Sequence, residues 1–241
     1  VLGRSKWGWI LVAIAAFGRR PARPSLVPAR PPDGRITVAT PLAALPALAL
    51  DTETTGLDPL RDRIVSLAAV RLQGAALLPG AAIDLLIHPG REIPAAATAV
   101  HGISDRMVLD APSYAEVAPR IMAVLEGSVL IGHHAVFDLA VLRRASTAIG
   151  IDWQDPPWLD TALLYSALHP AARDFDLDAV AQHVGVAIEG RHTALGDALA
   201  TAEIYLKLQP ELEGHGIVTL GQAMAFQMTS RKAARAHRVA L

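Results

Sequence analysis

The sequence predicts an α/β domain, a mixed β-sheet covered by helices. Three observations predict it. Apolar strand-like runs dominate the first half of the compact region and helical patterns the second, in the order three strands, helix, strand, helices. The helical stretches close on glycine, as "SYAEVAPRIMAVLEG" (113–127) and "AVFDLAVLRRASTAIG" (135–150) show. The 241 residues suffice for one sizeable domain with extensions.

The elements follow in order. "ALPALALDTE" (44–53) reads as a buried strand that ends in Asp51 and Glu53. "RIVSLAAVRL" (63–72) and "GAAIDLLIHP" (80–89) read as strands, with "QGAALLPG" (73–80) as the turn region between them. The stretch 113–127 has apolar residues at helical spacing and Ser113 as N-cap. "SVLIGH" (128–133) is a short buried strand, and 135–150 is the next helix. "LDTALLYSAL" (159–168), "DLDAVAQHVG" (176–185) and "TALGDALATAEIYLKL" (193–208) read as three further helices.

Residues 1–40 differ from the rest. "KWGWILVAIAAF" (6–17) is apolar, flanked by basic residues, and too short for a comfortable membrane span. It reads either as a signal-peptide apolar region or as a helix or strand of an upstream region. "RRPARPSLVPARPPDG" (19–34) is an extended Pro/Arg-rich linker. The domain limits expected are 1–40 for this apolar segment and linker, 41–209 for the compact domain, and 210–241 for a C-terminal helix and basic tail. Arg231, Lys232, Arg235 and Arg238 in that tail are placed to meet phosphate or simply solvent.

Composition excludes several classes. A formal net charge of −1 means that no global field draws the chain to nucleic acid or membrane, so any polyanion site is local or built with metal ions. The chain has no cysteine, which excludes disulfides, thiolate metal sites and a cysteine nucleophile, and favours a reducing compartment. Aromatic content of 5% makes the core aliphatic.

Asp51 and Glu53 stand at i and i+2 of a strand, so their side chains share a face. Two carboxylates there repel, and a cation resolves the conflict. Oxygen donors suit Mg²⁺ or Mn²⁺. Taken alone, so common a pair reads as a strand end emerging into solvent with two ordinary surface acids. Asp138 follows a buried strand at the start of a helix, where it also complements the helix dipole. His192 stands in a loop with Asp197 five residues on, in the first turns of a helix. "HGIS" (101–104) places Ser104 as a helix N-cap.

In this order and spacing the residues carry a resemblance. "DTETTG" (51–56), "HHAVFD" (133–138) and "HTALGD" (192–197), with "HGIS" between the first two, resemble the motifs of the DnaQ-like 3′–5′ exonucleases, the family that includes the proofreading subunit of bacterial replicative polymerase. The resemblance runs from about 46 to 209. His192, rather than a Tyr at Thr193, matches the histidine subgroup. It implies a ribonuclease H-like fold, a mixed five-stranded sheet flanked by helices.

The resemblance also implies site roles. Asp51, Glu53, Asp138 and Asp197 would hold two Mg²⁺ (or Mn²⁺) ions, about 4 Å apart in such sites, with Asp51 as the bridging candidate. His192 would be the general base. Thr52 would offer its backbone N–H to the terminal 3′-OH, and Leu57 would wedge against the terminal base. Ile103 and Phe137 would add apolar or stacking surface, with core packing the equal alternative for Phe137. Many relatives carry Asn at the position of His134, so an imidazole there either keeps a hydrogen bond beside the site or adds a group titrating near neutral pH. Asp160 reads as an N-cap, His101 as a structural cap, and Asp174, Asp176 and Asp178 as helix-start and surface acids.

The expected activity is metal-dependent 3′–5′ hydrolysis of DNA, releasing nucleoside 5′-monophosphates. Two readings stand beside it: an RNA or oligoribonucleotide exonuclease, separated by 2′-OH contact, and a non-catalytic nucleic-acid-binding module. The expected partners are nucleic acid with a free 3′ end, single-stranded DNA foremost, and a DNA polymerase or upstream fused domains. No stable membrane partner is expected, and the location is cytoplasmic. Proofreading, repair and RNA turnover all remain open as roles.

Overall fold

A computed structural model describes residues 35–79 and 83–230. Six strand segments form one mixed sheet: β1 (Pro46–Thr54), β2 (Ile64–Gln73), β3 (Ala76–Leu77), β4 (Ile83–Leu86), β5 (Val129–Gly132) and β6 (Trp158–Asp160). They fill five strand positions, because β3 and β4 both pair with β2, at Leu72–Gln73 and at Ser66–Ala69 respectively. The order across the sheet is β3 with β4, then β2, β1, β5 and β6. Pairing is antiparallel between β1 and β2 and parallel from β1 to β5 to β6. The five-stranded mixed sheet expected from the sequence is therefore present.

The helices are α1 (Ala95–His101), α2 (Asp105–Val108), α3 (Tyr114–Leu125), α4 (Ala135–Ala148), α5 (Thr161–Leu168), α6 (Leu177–Val184), α7 (Ala194–Gly214) and α8 (Leu220–Gln227). Alternation along β1 sends Ala47 and Ala49 to one face, where they pack with residues of α5, α6 and α7 such as Leu164, Val180 and Tyr205. Leu48 and Leu50 go to the other face and pack with Ile121 of α3 and Leu139 and Leu142 of α4. Both faces of the sheet are covered, which is why β1, β2 and β5 read as nearly continuous apolar runs. Ser113 starts α3 with a capping box, its backbone N–H and hydroxyl both donating to Glu116 Oε2 at 2.7 Å.

Four elements differ from the sequence expectation. "LDTALLYSAL" is not all helix: Leu159 and Asp160 belong to β6, and α5 starts at Thr161. A three-residue strand has no period to detect, and it exists through its tertiary pairing with β5. The helix expected to end at Leu208 continues through Pro210 to Gly214, because Leu208 and Leu212 are both fully buried in the core and that burial outweighs the lost bond at Pro210. The 73–80 turn region contains β3, and α1 lay unread before "HGIS".

The apolar N-terminal segment, the 19–34 linker and the basic residues 231–238 lie outside the described residues. In the 210–241 region α8 is described, opened by a capping box between Thr219 and Gln222. The buried Gln227 closes the free side of β6, accepting from Asp160 N–H at 2.9 Å and donating to the Trp158 carbonyl at 3.3 Å. Among the described residues no helix is long and apolar enough to cross a membrane.

Candidate active site

Strand β1 is longer than its parallel neighbour. Only Ala47–Ala49 pair with β5, whereas pairing with β2 continues through Thr54. Asp51 and Glu53 thus sit where the sheet opens, half-buried, on the face covered by α7. Their partners across β2 are Ala68 and Ser66. Ala68 packs with Ala194 and Ala198 of α7. These small side chains let the first turn of α7 approach β1 closely and carry the buried Asp197 to the acids. One carboxylate oxygen from each of Asp51, Glu53 and Asp197 lies within 4.8 Å of the others.

Asp138 reaches the same strand from the opposite face, in the first turn of α4. It is 4% exposed, and its Oδ1 accepts the Thr52 hydroxyl at 2.7 Å. Its charge acts on Asp51, but it stands outside the group of three. Thr52 therefore has a partner that the sequence did not suggest: its hydroxyl and its backbone N–H both favour the ionised form of Asp138.

Burial dominates the electrostatics of these acids. It pushes Asp51 well above the ordinary carboxylate range, reinforced by the charges of Asp138, Glu53 and Asp197. It pushes Glu53 up to about 7, with the Asp197 charge adding and Arg191 opposing. It pushes Asp138 up to about 7 against the hydrogen bonds from Thr52. It also raises Asp197, again against Arg191. Asp197 Oδ1 is buried without a hydrogen-bond partner among the described residues. An orphaned carboxylate oxygen in an all-oxygen cluster whose members resist ionisation fits a hard divalent cation, and Asp51, Glu53 and Asp197 are the residues placed to hold one.

His192 is exposed and lies in the left-handed region, with φ of 63°. A turn fixes it: Thr193 N–H and hydroxyl both donate to the Gly190 carbonyl, at 3.0 and 2.6 Å, and Thr193 Oγ1 caps α7 by accepting from Gly196 N–H at 3.1 Å. Gly196 is required there, because a Cβ would stand 2.2 Å from the Gly190 oxygen. His134 shares the left-handed conformation, φ 63° and ψ 40°, as N-cap of α4. Asn, Asp and His are among the few side chains other than glycine that adopt this conformation readily, so the backbone here suits an imidazole. The His134 imidazole lies 4.0 Å from Asp176 and against the ring of His133.

The other substrate-facing expectations divide. Leu57 projects from the "TTG" turn at 90% exposure. Asp62 holds that turn closed, accepting from Thr55 Oγ1 at 2.8 Å and from Asp58 N–H at 2.9 Å, and a Cβ on Gly56 would strike it at 2.5 Å. Phe137 is half-buried against the α3–α4 side of the core. Ile103 is core rather than open surface, packed with Val65, Ile93 and Val108. His101 is a structural cap as read: its Nδ1 accepts from Ile103 N–H at 3.0 Å and its Nε2 faces the Thr54 carbonyl at 3.2 Å.

Two neighbours of the site make contacts that the sequence did not suggest. Asp160 does more than cap α5. Its carboxylate accepts from Ala162 and Leu163 N–H at 2.9 and 3.2 Å, and from His134 and Ala135 N–H at 3.2 and 3.0 Å. It thereby ties the start of α5 to the start of α4, the helix that carries Asp138. Arg191 pairs with Asp197 through one terminal nitrogen and with Asp178 through Nε at 2.9 Å. Its position directly before His192 was the available signal.

Known proteins share this architecture. A family model described as "Exonuclease" (RNase_T) matches residues 48–205. The chain is 48% identical over 188 residues to a DNA polymerase III subunit epsilon-like protein of Rhodobacter capsulatus, which covers 77% of this chain and 27% of that protein. It is 35% identical over 174 residues to a DNA polymerase III PolC-type of Thermotoga maritima, covering 72% of this chain and 12% of that one. The chain thus spans well under a third of these relatives. Escherichia coli exonuclease I in complex with a dT13 oligonucleotide matches with a TM-score of 0.62 at 22% identity, over 71% of this chain and 43% of that one. Exonuclease X in complex with 5′-overhanging duplex DNA matches with a TM-score of 0.59 at 25% identity, over 75% and 99%. The family match begins in β1 and ends in α7, the two elements whose acids meet, and the chain belongs to the DnaQ-like exonuclease family.

Proposed function

We propose that the region 41–209 is a 3′–5′ exonuclease domain that hydrolyses the terminal phosphodiester of single-stranded DNA and releases nucleoside 5′-monophosphates. The observation that carries this is the meeting of Asp51, Glu53 and Asp197 within 4.8 Å, with Asp138 adjoining, where β1 runs on beyond its pairing with β5. DNA as substrate rests on kinship with polymerase III proteins and on DNA-bound neighbours. The same kinship supports a DNA polymerase partner and a cytoplasmic location.

Asp51, Glu53 and Asp197 would hold Mg²⁺ or Mn²⁺, and Asp138 would complete the set for two ions. Bound there, the cations supply Lewis acidity toward the phosphate and acidify water. Thr52 keeps Asp138 oriented and favours its ionised form. His192, exposed on a turn next to Asp197, accepts the proton of the attacking water. Leu57, the most exposed apolar side chain beside the site, packs against the terminal base without selecting among bases. Phe137 and His134, at the start of α4, would add further contacts to the substrate.

The test is digestion of a 5′-labelled single-stranded oligodeoxynucleotide and its RNA equivalent with Mg²⁺ or Mn²⁺. Stepwise shortening from the 3′ end is expected, abolished by Asp51→Asn or by chelation while the circular dichroism spectrum is kept. Absence of hydrolysis by the unaltered protein on every 3′-ended substrate would overturn the reading and favour a binding module. Preference for the RNA would reassign the substrate.

A further inference from the structure

We propose that Arg191 is the resident counter-ion of the acidic cluster, and that it surrenders Asp197 when a divalent cation binds. The inference rests on the reading of Asp51, Glu53 and Asp197 as cation ligands. Arg191 uses two edges of its guanidinium. Nε holds Asp178 of α6 at 2.9 Å, and a terminal nitrogen holds Asp197 Oδ2. Asp178 is largely exposed, whereas Asp197 is buried, so the two ends of the bridge are unequal: an anchor in solvent and a contact inside the cluster. The positive charge also acts on Asp51 and Glu53, in opposition to their mutual repulsion.

The geometry makes the contact a competitor. Asp197 has one oxygen on Arg191 and one orphaned, so a cation that takes the carboxylate meets a guanidinium already on it. Arg191 cannot lose its charge to make way, and a cation on the free Oδ1 brings a second positive centre to a carboxylate that already holds the guanidinium, so their repulsion drives the terminal nitrogen off Oδ2. The Asp178 anchor keeps the side chain beside the site when it does. A second contact is released with the first. That same nitrogen, which can only donate, lies 3.3 Å from His192 Nδ1, so the imidazole accepts there while Arg191 is in place. Cation binding and the freedom of the His192 ring are therefore linked through one side chain.

The experiment is calorimetric titration of Mn²⁺ into chelator-stripped, dialysed protein, unaltered and with Arg191→Gln, at about 0.1 and about 0.5 M KCl. Loss of the competitor is expected to tighten Mn²⁺ binding about tenfold, the ratio that roughly 1.4 kcal/mol converts to. The melting temperature of the stripped variant is expected below that of the unaltered protein, with the gap closing at saturating Mn²⁺. Equal or weaker Mn²⁺ binding by the variant, with clear binding by the unaltered protein, would overturn this inference alone. A gain that vanishes at the higher salt would also overturn it, because a diffuse field is screened over about 10 Å at 0.1 M whereas a direct contact is not. Absence of saturable Mn²⁺ binding by the unaltered protein would instead overturn the proposed function.

Discussion

The Thr52 hydroxyl donates to Asp138 Oδ1 at 2.7 Å, joining residues 86 apart in sequence where β1 runs on beyond its pairing with β5. The bond is buried and charge-assisted, and it opposes the upward push of burial on Asp138. Thr52→Val keeps the strand-forming shape and removes the donor. It is expected to destabilise the fold by about 1–3 kcal/mol and to slow 3′-end hydrolysis at neutral pH. Urea unfolding and a digestion time course on one preparation check both effects, and unchanged hydrolysis would show that Asp138 needs no orientation.

Asp160 accepts four backbone N–H groups from two helix starts while 2% exposed. Asp160→Ala is expected to lower stability by about 3 kcal/mol or more, because the donors at the starts of α4 and α5 lose their acceptor inside the protein. Asp160→Asn retains one acceptor oxygen and is expected to lose roughly half as much. Denaturant midpoints of the two variants test the ranking, and equal losses would count against a shared cap.

Gly196 lies against the 189–190 backbone with no room for a Cβ. Gly196→Ala must push the loop that carries Arg191 and His192 away from α7. Hydrolysis is expected to fall at least about tenfold, since small displacements of catalytic groups are expensive in rate. The rest of α7 is anchored by buried residues such as Tyr205 and Leu208, so cooperative unfolding is expected to persist. A variant as active as the unaltered protein would show that the loop position is not limiting.

Glu53 and Asp138, both pushed up to about 7 chiefly by burial, set a pH dependence in the absence of divalent cations. The folded chain holds protons on them that the unfolded chain has released. Their contribution is complete below the ordinary carboxylate range and is lost as pH rises to about 7. Urea midpoints measured in chelator are therefore expected to fall between about pH 5 and about pH 8. The Glu53→Gln, Asp138→Asn double variant is expected to flatten the curve, and an equally steep curve in that variant would refute the assignment.

Much of the site was legible because its chemistry is local in sequence. The i, i+2 acids of β1 share a face by the strand period, and Asp138 and Asp197 stand in first turns of helices whose stop and start signals are plain. Ile103 was less legible, since an apolar residue beside a motif reads alike whether it lines a site or fills the core; Val65, far from it in sequence, and Ile93 decide that it packs. β6 escaped notice because three residues carry no periodicity and acquire strand geometry only from β5.

The sequence by itself determined the family, the mixed sheet under helices, and Asp51, Glu53 and Asp197, whose carboxylates meet beside β1, since residue type, order and period carry those. Only the tertiary structure decided which groups act on them. That Thr52 binds Asp138, that Asp160 ties α4 to α5, and that Arg191 spans Asp178 and Asp197 all depend on distances between elements. A buried charge is governed by whatever folding places beside it, and chain spacing does not encode that neighbour.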